Sequence, residues 1–244
     1  MAKFSVIITA AGKGERYGGK QNKVFAKFKD RALFIRAIEL FVNRDDVCQT
    51  ILAVSPSDAQ YVKDQYGPNL GFMGVTLVEG GAYRWQTVAN GLKAVNEEAE
   101  FVAVHDATLI CTTLEMIDRV FAEATKSGAA ILAAPLSGTI KRVSGAGVVD
   151  ETVSREGLFE AQTPQVFRKE VLRAAYAALT EGTEATDDAE IVSASGHDVT
   201  VVDCDMRNMK ITYPGDLALA GAIIKSRPKP KAARPRGPFE EAQW

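Results

Sequence analysis

Ser5-Val-Ile-Ile-Thr-Ala-Ala-Gly-Lys-Gly-Glu-Arg-Tyr-Gly-Gly-Lys-Gln-Asn-Lys23 decides the fold. Val6, Ile7 and Ile8 are the β-branched run of a strand buried on both faces. Gly12, Gly14, Gly18 and Gly19 then remove side chains, so that backbone N–H groups can approach and wrap a phosphate. Arg16, Lys20 and Lys23 add charge where glycine adds access, a combination that suits a polyphosphate.

Three phosphate loops compete for this stretch. A dinucleotide fingerprint needs G-x-G-x-x-G and an acid about 20 residues on, at the end of the next strand. Here the spacing is G-x-G-x-x-x-G, and Asp30 lies in a polar stretch before a helix. Gly14 to Lys20 fits a Walker A loop, but Gln21 lacks the hydroxyl that would hold Mg²⁺. The third reading is a nucleotidyltransferase loop, in which Arg and Lys clamp a nucleoside triphosphate while its α-phosphate is attacked.

Working outward, Phe34, Ala37, Ile38, Phe41 and Val42 recur at helical spacing before an apolar run at residues 50–54. Residues 58–66 read as a short helix, 75–78 as a strand, 84–95 as a helix and 101–104 as a strand delivering His105 and Asp106. Thr112 and Glu115 suit a capping box before the helix carrying Ile117, Val120 and Phe121, and residues 130–134 form a strand. Residues 139–143 and 148–153 flank Ser-Gly-Ala-Gly and suit a projecting β-hairpin. The main fold resumes at Gln162-Thr-Pro-Gln165, with helices over 169–179 and from Thr186, a strand at 199–202, and an extended piece at 208–212. Pro214 suits the first turn of a last helix. Strands alternating with amphipathic helices imply an α/β, three-layer, mostly parallel sheet with ligands outside the carboxyl ends of its strands. Gly12–Lys23, Gly80–Thr87 and His105–Ala107 each follow a strand.

Of the 244 residues, 46% are hydrophobic and 25% charged, as in an ordinary soluble protein. No apolar run approaches membrane-spanning length, and the expectation is a cytoplasmic protein with no membrane partner. Cys48, Cys111 and Cys204 lack metal or disulfide-framework spacing and read as small buried hydrophobes. Residues 1–225 read as one domain with an arm at 136–156. Residues 226–244 read as a disordered, basic, Pro-rich tail. From Lys225 onward, six Lys or Arg face two Glu, so that segment carries +4 and the rest of the chain −6. Nucleic acid is nevertheless not expected as a partner.

Seven motifs recur in order: Ala10-Ala-Gly-Lys-Gly-Glu-Arg16, Gly80-Gly-Ala-Tyr-Arg84 with Thr87, Val104-His-Asp-Ala107, Ala134-Pro135 with Thr139-Ile-Lys141, Gln162-Thr-Pro-Gln165, Thr186-Asp-Asp188 and Asn208-Met-Lys-Ile-Thr212. Together they resemble the 2-C-methyl-D-erythritol 4-phosphate cytidylyltransferases of isoprenoid-precursor synthesis, over essentially the whole chain before the tail. The resemblance implies a Rossmann-like nucleotidyltransferase fold and transfer of CMP from CTP to a sugar-alcohol phosphate, with release of pyrophosphate and with Mg²⁺ present. It implies Arg16, Lys23 and Lys210 as the catalytic cations. Ala10, Ala11, Gly12, Gly14, Gly81, Thr87, Asp106 and Ala107 would bind the nucleotide, and Asp106 would also hold the metal. Thr139, Arg155 and Thr186 would bind the acceptor, the first two reaching across a homodimer formed through the arm. His105 is expected to be structural, since an anionic phosphate nucleophile needs no general base.

Two departures stand out. Thr108-Leu109-Ile110 replaces the family's usual Ala-Arg-Pro, and Asn22-Lys23-Val24-Phe25 keeps only the lysine of Pro-Lys-Gln-Tyr/Phe. Ribitol 5-phosphate cytidylyltransferases share the fold and much of the donor site, and are the nearest enzymatic alternative. A non-catalytic nucleotide-binding regulatory protein is the alternative from another class.

Overall fold

The computed structural model describes residues 2–228, apart from Lys13, residues 19–21, Glu181 and Thr183. Lys20 and nearly all of the tail therefore lie outside the described residues. The chain runs β1 (Phe4–Ala10), β2 (Lys27–Phe28), β3 (Arg31–Ala32), α1 (Leu33–Glu39), β4 (Val47–Val54), α2 (Pro56–Phe72), β5 (Val75–Glu79), α3 (Arg84–Lys93) and β6 (Phe101–Asp106). It continues through α4 (Leu114–Ser127), β7 (Ala129–Pro135), β8 (Ile140–Val143), β9 (Val149–Val153), β10 (Phe159–Arg168), α5 (Lys169–Ala177), α6 (Asp188–Ala194), β11 (Thr200–Asp203) and α7 (Asp216–Ser226).

The main sheet has the order β11-β7-β10-β6-β1-β4-β5. Only β10 runs antiparallel to its neighbours. β1 shows why there are three layers. Its side chains alternate with period two, sending Val6 and Ile8 to one face and Ile7 to the other. The first face packs on α1, α2 and α4 through Phe34, Ile38, Val62, Ile117 and Phe121. The second packs on α3, α5 and α6 through Val88, Leu92, Leu172 and Ile191. Gly91 lets α3 approach closely, because a Cβ there would sit 2.8 Å from Ile7 Cγ2. A smaller cluster of Phe28, Leu33, Ile110, Cys111, Ile211 and Ala220 ties α7 to the loop after β6.

Several local expectations change. α2 extends beyond residue 66 to Phe72, passing Pro68, because Leu70 on the added stretch is buried in the core. The cap of α4 is Thr113, which accepts from Met116 N, whereas the single proton of the Thr112 hydroxyl lies between Leu109 O and Asn208 Oδ1. Gln162-Thr-Pro-Gln165 lies inside a core strand, β10, whose register shifts between Gln162 and Gln165 to pass Pro164. Residues 208–212 form no strand; Ile211 N donates to Thr108 O. Pro214 lies in the turn before α7 rather than in its first turn. Cys111 is buried, whereas Cys48 and Cys204 are half-buried.

The arm is a separate two-stranded sheet, β8 with β9, carrying the exposed Val143, Val148 and Val149. Among the described residues no helix is long and apolar enough to cross a membrane.

Candidate active site

The carboxyl ends of β1, β5 and β6 bring three loops together. Parallel pairing sets Thr9 beside Asp106, and the Thr9 hydroxyl donates to Asp106 Oδ1 at 2.9 Å. The turns after β1 and β5 touch: a Cβ on Gly80 would lie 2.6 Å from Ala11 Cβ and 2.9 Å from Thr87 Oγ1. Thr87 is buried, accepts from Gly81 N at 3.1 Å and donates to Tyr83 O at 3.2 Å. Its hydroxyl thus pins the Gly81 turn and keeps only an acceptor lone pair to spare. Ala10 and Ala107 are buried, Ala11 is half-buried and Gly12 is exposed, with open space where a side chain would be. That space leaves the backbone accessible to a ligand. Gly14 adopts a left-handed φ of +67°, and a Cβ there would lie 3.1 Å from Lys23 Cγ, so the loop folds back onto Lys23.

Lys23 opens a short 3-10 turn capped by Asn22, whose Oδ1 accepts from Val24 N while its amide donates to Asp58 Oδ2. The cap stiffens a turn that lacks proline, and buried Val24 and Phe25 anchor it. Lys23 Nζ donates to Ile211 O at 3.2 Å. Burial, then the positive charges of Lys210 and Arg16, hold its pKa below the ordinary lysine value, against the pull of Asp106. The three cations therefore share one electrostatic neighbourhood, with exposed Arg16 at its rim.

Asp106 is the counter-charge. Its Oδ2 accepts from Lys210 Nζ at 2.5 Å, and Arg84 Nη2 lies 3.6 Å from Oδ1. Burial alone would raise the carboxyl pKa, but Lys210 and Arg84 outweigh it and hold it well below the usual range. Arg84 also pairs with fully buried Asp188 at 2.8 Å, which in turn accepts from Tyr176 Oη at 2.5 Å. Gln165 Oε1 accepts from the backbone N–H groups of Asp188 and Ala189. Arg84, Asp106 and Gln165 border a cleft of about 150 Å³ lined also by Leu109, Gln162, Thr186 and Lys210, whereas Gly12, Gly14, Arg16 and Lys23 stand outside its lining. Cavities of about 550 and 620 Å³ lie elsewhere, beside α1 and α2 and beside α6, but neither gathers the loops and charges of this cleft.

His105 is fully buried between Phe41, with ring centroids 5.2 Å apart, and Thr163 Oγ1, 3.0 Å from Nδ1. Burial lowers its pKa to about 4, so it is neutral near pH 7. Thr186 lines the cleft, yet its hydroxyl donates to Glu190 Oε2. Thr139 and Arg155 do not line the cleft within this protomer; both are exposed on the arm, where Arg155 donates to Ser137 O. Among the described residues no three His, Cys, Asp or Glu gather as a metal cluster; the cleft's acids are Asp106, Glu160 and Asp187, of which Asp106 is the one paired with cations. Sequence reading gave no role to Thr9, Arg84, Gln165, Tyr176 or Asp188. Arg84 and Asp188 did fall within its motifs, but they are 104 residues apart and only the fold pairs them.

A family model for 2-C-methyl-D-erythritol 4-phosphate cytidylyltransferase matches residues 4–226. The chain belongs to this family. A relative of the same name from Rhodopirellula baltica is 42% identical over 234 residues, covering 91% of this chain and 95% of its own. The Thermus thermophilus cytidylyltransferase structure is 30% identical with a TM-score of 0.74, covering 92% of this chain and 100% of its own. The 4-diphosphocytidyl-2C-methyl-D-erythritol synthase structure from Anaerococcus prevotii has a TM-score of 0.76 at 26% identity, covering 92% and 99%. Against the pattern expected of the cytidylyltransferase family, Leu109 turns an arginine position into a buried apolar wall of the cleft.

Proposed function

We infer that this chain transfers CMP from CTP to 2-C-methyl-D-erythritol 4-phosphate, releasing pyrophosphate. The observation that carries this reading is the convergence of Lys23, Lys210 and Arg16 around Asp106, beside a glycine loop at the carboxyl ends of β1 and β6. An acceptor phosphate oxygen attacks the α-phosphorus of CTP in line. A bond forms from that oxygen to the α-phosphorus, and the bond to the bridging oxygen breaks. No side-chain nucleophile or general base is required, so catalysis rests on positioning and charge. Arg16 and Lys23 face charge on the triphosphate, and Lys210 faces charge at the reacting phosphorus. Backbone groups of Ala10, Ala11, Gly12 and Gly81, with the turn pinned by Thr87, read the cytosine edge.

Asp106 suits Mg²⁺ shared with the triphosphate, since that ion is commonly held by one or two carboxylates plus substrate phosphates. When bound it would neutralise phosphate charge. Asp106 would hold the ion, and Lys210, which donates to its Oδ2, stands beside the same carboxylate at the cleft. Thr139 and Arg155 bind the acceptor phosphate from the partner protomer of a homodimer, a reading supported by their exposure on an arm that also exposes Val143, Val148 and Val149.

The missing arginine at Leu109 motivates one second reading, an altered acceptor such as ribitol 5-phosphate, while the apolar side chain itself suits the methyl-bearing acceptor better. Pyrophosphate release is measured with CTP, Mg²⁺ and each alcohol phosphate in turn. A higher kcat/KM for the methylerythritol compound is expected. A ribitol preference, equal rates, or binding of CTP with no turnover would overturn the assignment.

A further inference from the structure

Arg84, Asp188 and Tyr176 form a charged chain that the proposed chemistry leaves unused. Asp188 is completely buried in the first turn of α6, where Tyr176 Oη and two backbone-anchoring bonds from Gln165 hold it still. Arg84 opens α3 and reaches from this anchor to Asp106. The two oxygens of Asp106 are consequently unlike. Oδ1 lies between Thr9 and Arg84, which belong to rigid elements, whereas Oδ2 is bonded to Lys210, whose side chain is 44% exposed at the cleft.

We propose that Arg84 is a positioning residue for the transfer reaction: it ties the Asp106 carboxylate to buried Asp188, so that Oδ1 stays fixed and Oδ2 faces the exchangeable cation of the cleft. The inference rests on the cytidylyl-transfer reading and deepens it. A single guanidinium nitrogen, Nη2, stands 2.8 Å from Asp188 Oδ2 and 3.6 Å from Asp106 Oδ1, and the planar guanidinium holds it there more rigidly than a lysine ammonium on its flexible stem would. Burial works against charge on Arg84, but Asp188 and Asp106 more than offset it, so the bridge stays ionised. Without Arg84, Asp106 keeps only Thr9 on its fixed oxygen, and Asp188 is left as a buried charge with a neutral phenol for company.

The test uses the full chain with CTP, Mg²⁺ and the preferred acceptor. Arg84→Ala is expected to lower kcat about 100-fold, the loss that follows when a catalytic group is misplaced by about 1 Å. The KM for CTP should change by a smaller factor than kcat, since the backbone contacts to the base and the cations Arg16 and Lys23 do not depend on Arg84. Added guanidinium should restore part of the lost kcat in a saturable manner, and Arg84→Lys should remain well below wild type at an unchanged Tm. A kcat for Arg84→Ala within about threefold of wild type would overturn the proposal. So would a loss that merely follows a lowered Tm and resists guanidinium, because that is the signature of a structural role. Should Arg84→Ala fail to fold, Arg84→Lys decides: wild-type kcat refutes the bridge, and a lowered kcat at unchanged Tm and KM upholds it. Absence of pyrophosphate release by the wild-type chain would instead refute the transfer reading itself, so the two failures are distinguishable.

Discussion

The cleft and the arm treat charge in opposite ways. At the cleft, Asp106 and the Asp188 behind it are buried, and both have cationic or hydroxyl partners drawn from distant parts of the chain. On the arm, Arg155, Thr139, Lys141 and Arg142 are exposed, and the bonds described for Arg155, Lys141 and Arg142 stay within the arm and its base. Buried charges demand partners because desolvation is expensive, and a fully partnered set is rigid before any ligand arrives. Exposed charges can be re-aimed. The cleft is therefore preorganised within one protomer, whereas the arm waits for something to close upon.

The strongest break of this comparison is at Lys23 and Lys210. Removing one preorganised charge that faces a developing charge typically costs about 10²–10³ in kcat. Lys23→Ala and Lys210→Ala should each fall in that range in steady-state pyrophosphate release. A fall of less than tenfold at both positions would mean that the cleft only binds.

At Arg155 the expected loss is of another kind. Arg155→Ala should raise the KM for the acceptor by about tenfold or more, as loss of a charge-assisted phosphate contact does, while the KM for CTP stays near wild type. Mixing it with Lys23→Ala should regain part of the lost activity through hybrid dimers, each with one intact composite site. No recovery at any mixing ratio would return Arg155 to the role of an isolated surface charge.

The same division explains what could be read from sequence. β1, β4, β6 and β7 are apolar runs; the ends of β1 and β6 located Gly12 and Asp106, and the end of the shorter β5 located the loop around Thr87. β10 hid because Pro164 and two glutamines interrupt a core strand, where a proline ordinarily argues against strand pairing. Thr112 and Thr113 both offer a capping hydroxyl, and only the path of the chain shows that Thr112 turns instead toward Asn208. Single cations such as Lys23 were legible through their motifs. The Arg84–Asp188–Tyr176 chain was not, because a buried ion pair is a property of two distant segments and leaves no local spacing.

Lys23 also sharpens the comparison through pH. Its depressed pKa means that catalytic charge is present below that pKa and is lost as pH rises through it, so kcat should decline on the alkaline side before an ordinary lysine would titrate. Lys23→Arg should move that limb upward. For stability the sign is reversed: between the folded and unfolded pKa values the unfolded chain holds the extra proton, so stability rises with pH there. Below both values the charged lysine is a net burden, and Lys23→Met should raise Tm near pH 7 while abolishing turnover. A lowered Tm would show that the bond to Ile211 O outweighs desolvation.

Thr87 gives the smallest and most diagnostic effect, because its hydroxyl and its methyl do different things. The hydroxyl bridges Gly81 N and Tyr83 O, whereas the methyl sits where a Cβ on Gly80 would meet it at 3.0 Å. Thr87→Ser keeps the bridge and removes one buried methyl, which should cost about 1 kcal/mol of stability and leave the KM for CTP within about twofold. Thr87→Val keeps the volume and removes both bonds, leaving a donor and an acceptor of the turn unmatched at about 1–3 kcal/mol each. The Gly81 turn should then drift and the KM for CTP rise, with little change in the KM for the acceptor. Equal behaviour of the two variants in CTP binding would mean that the turn is held by the close packing of Gly80 against Ala11, and that the hydroxyl only satisfies itself.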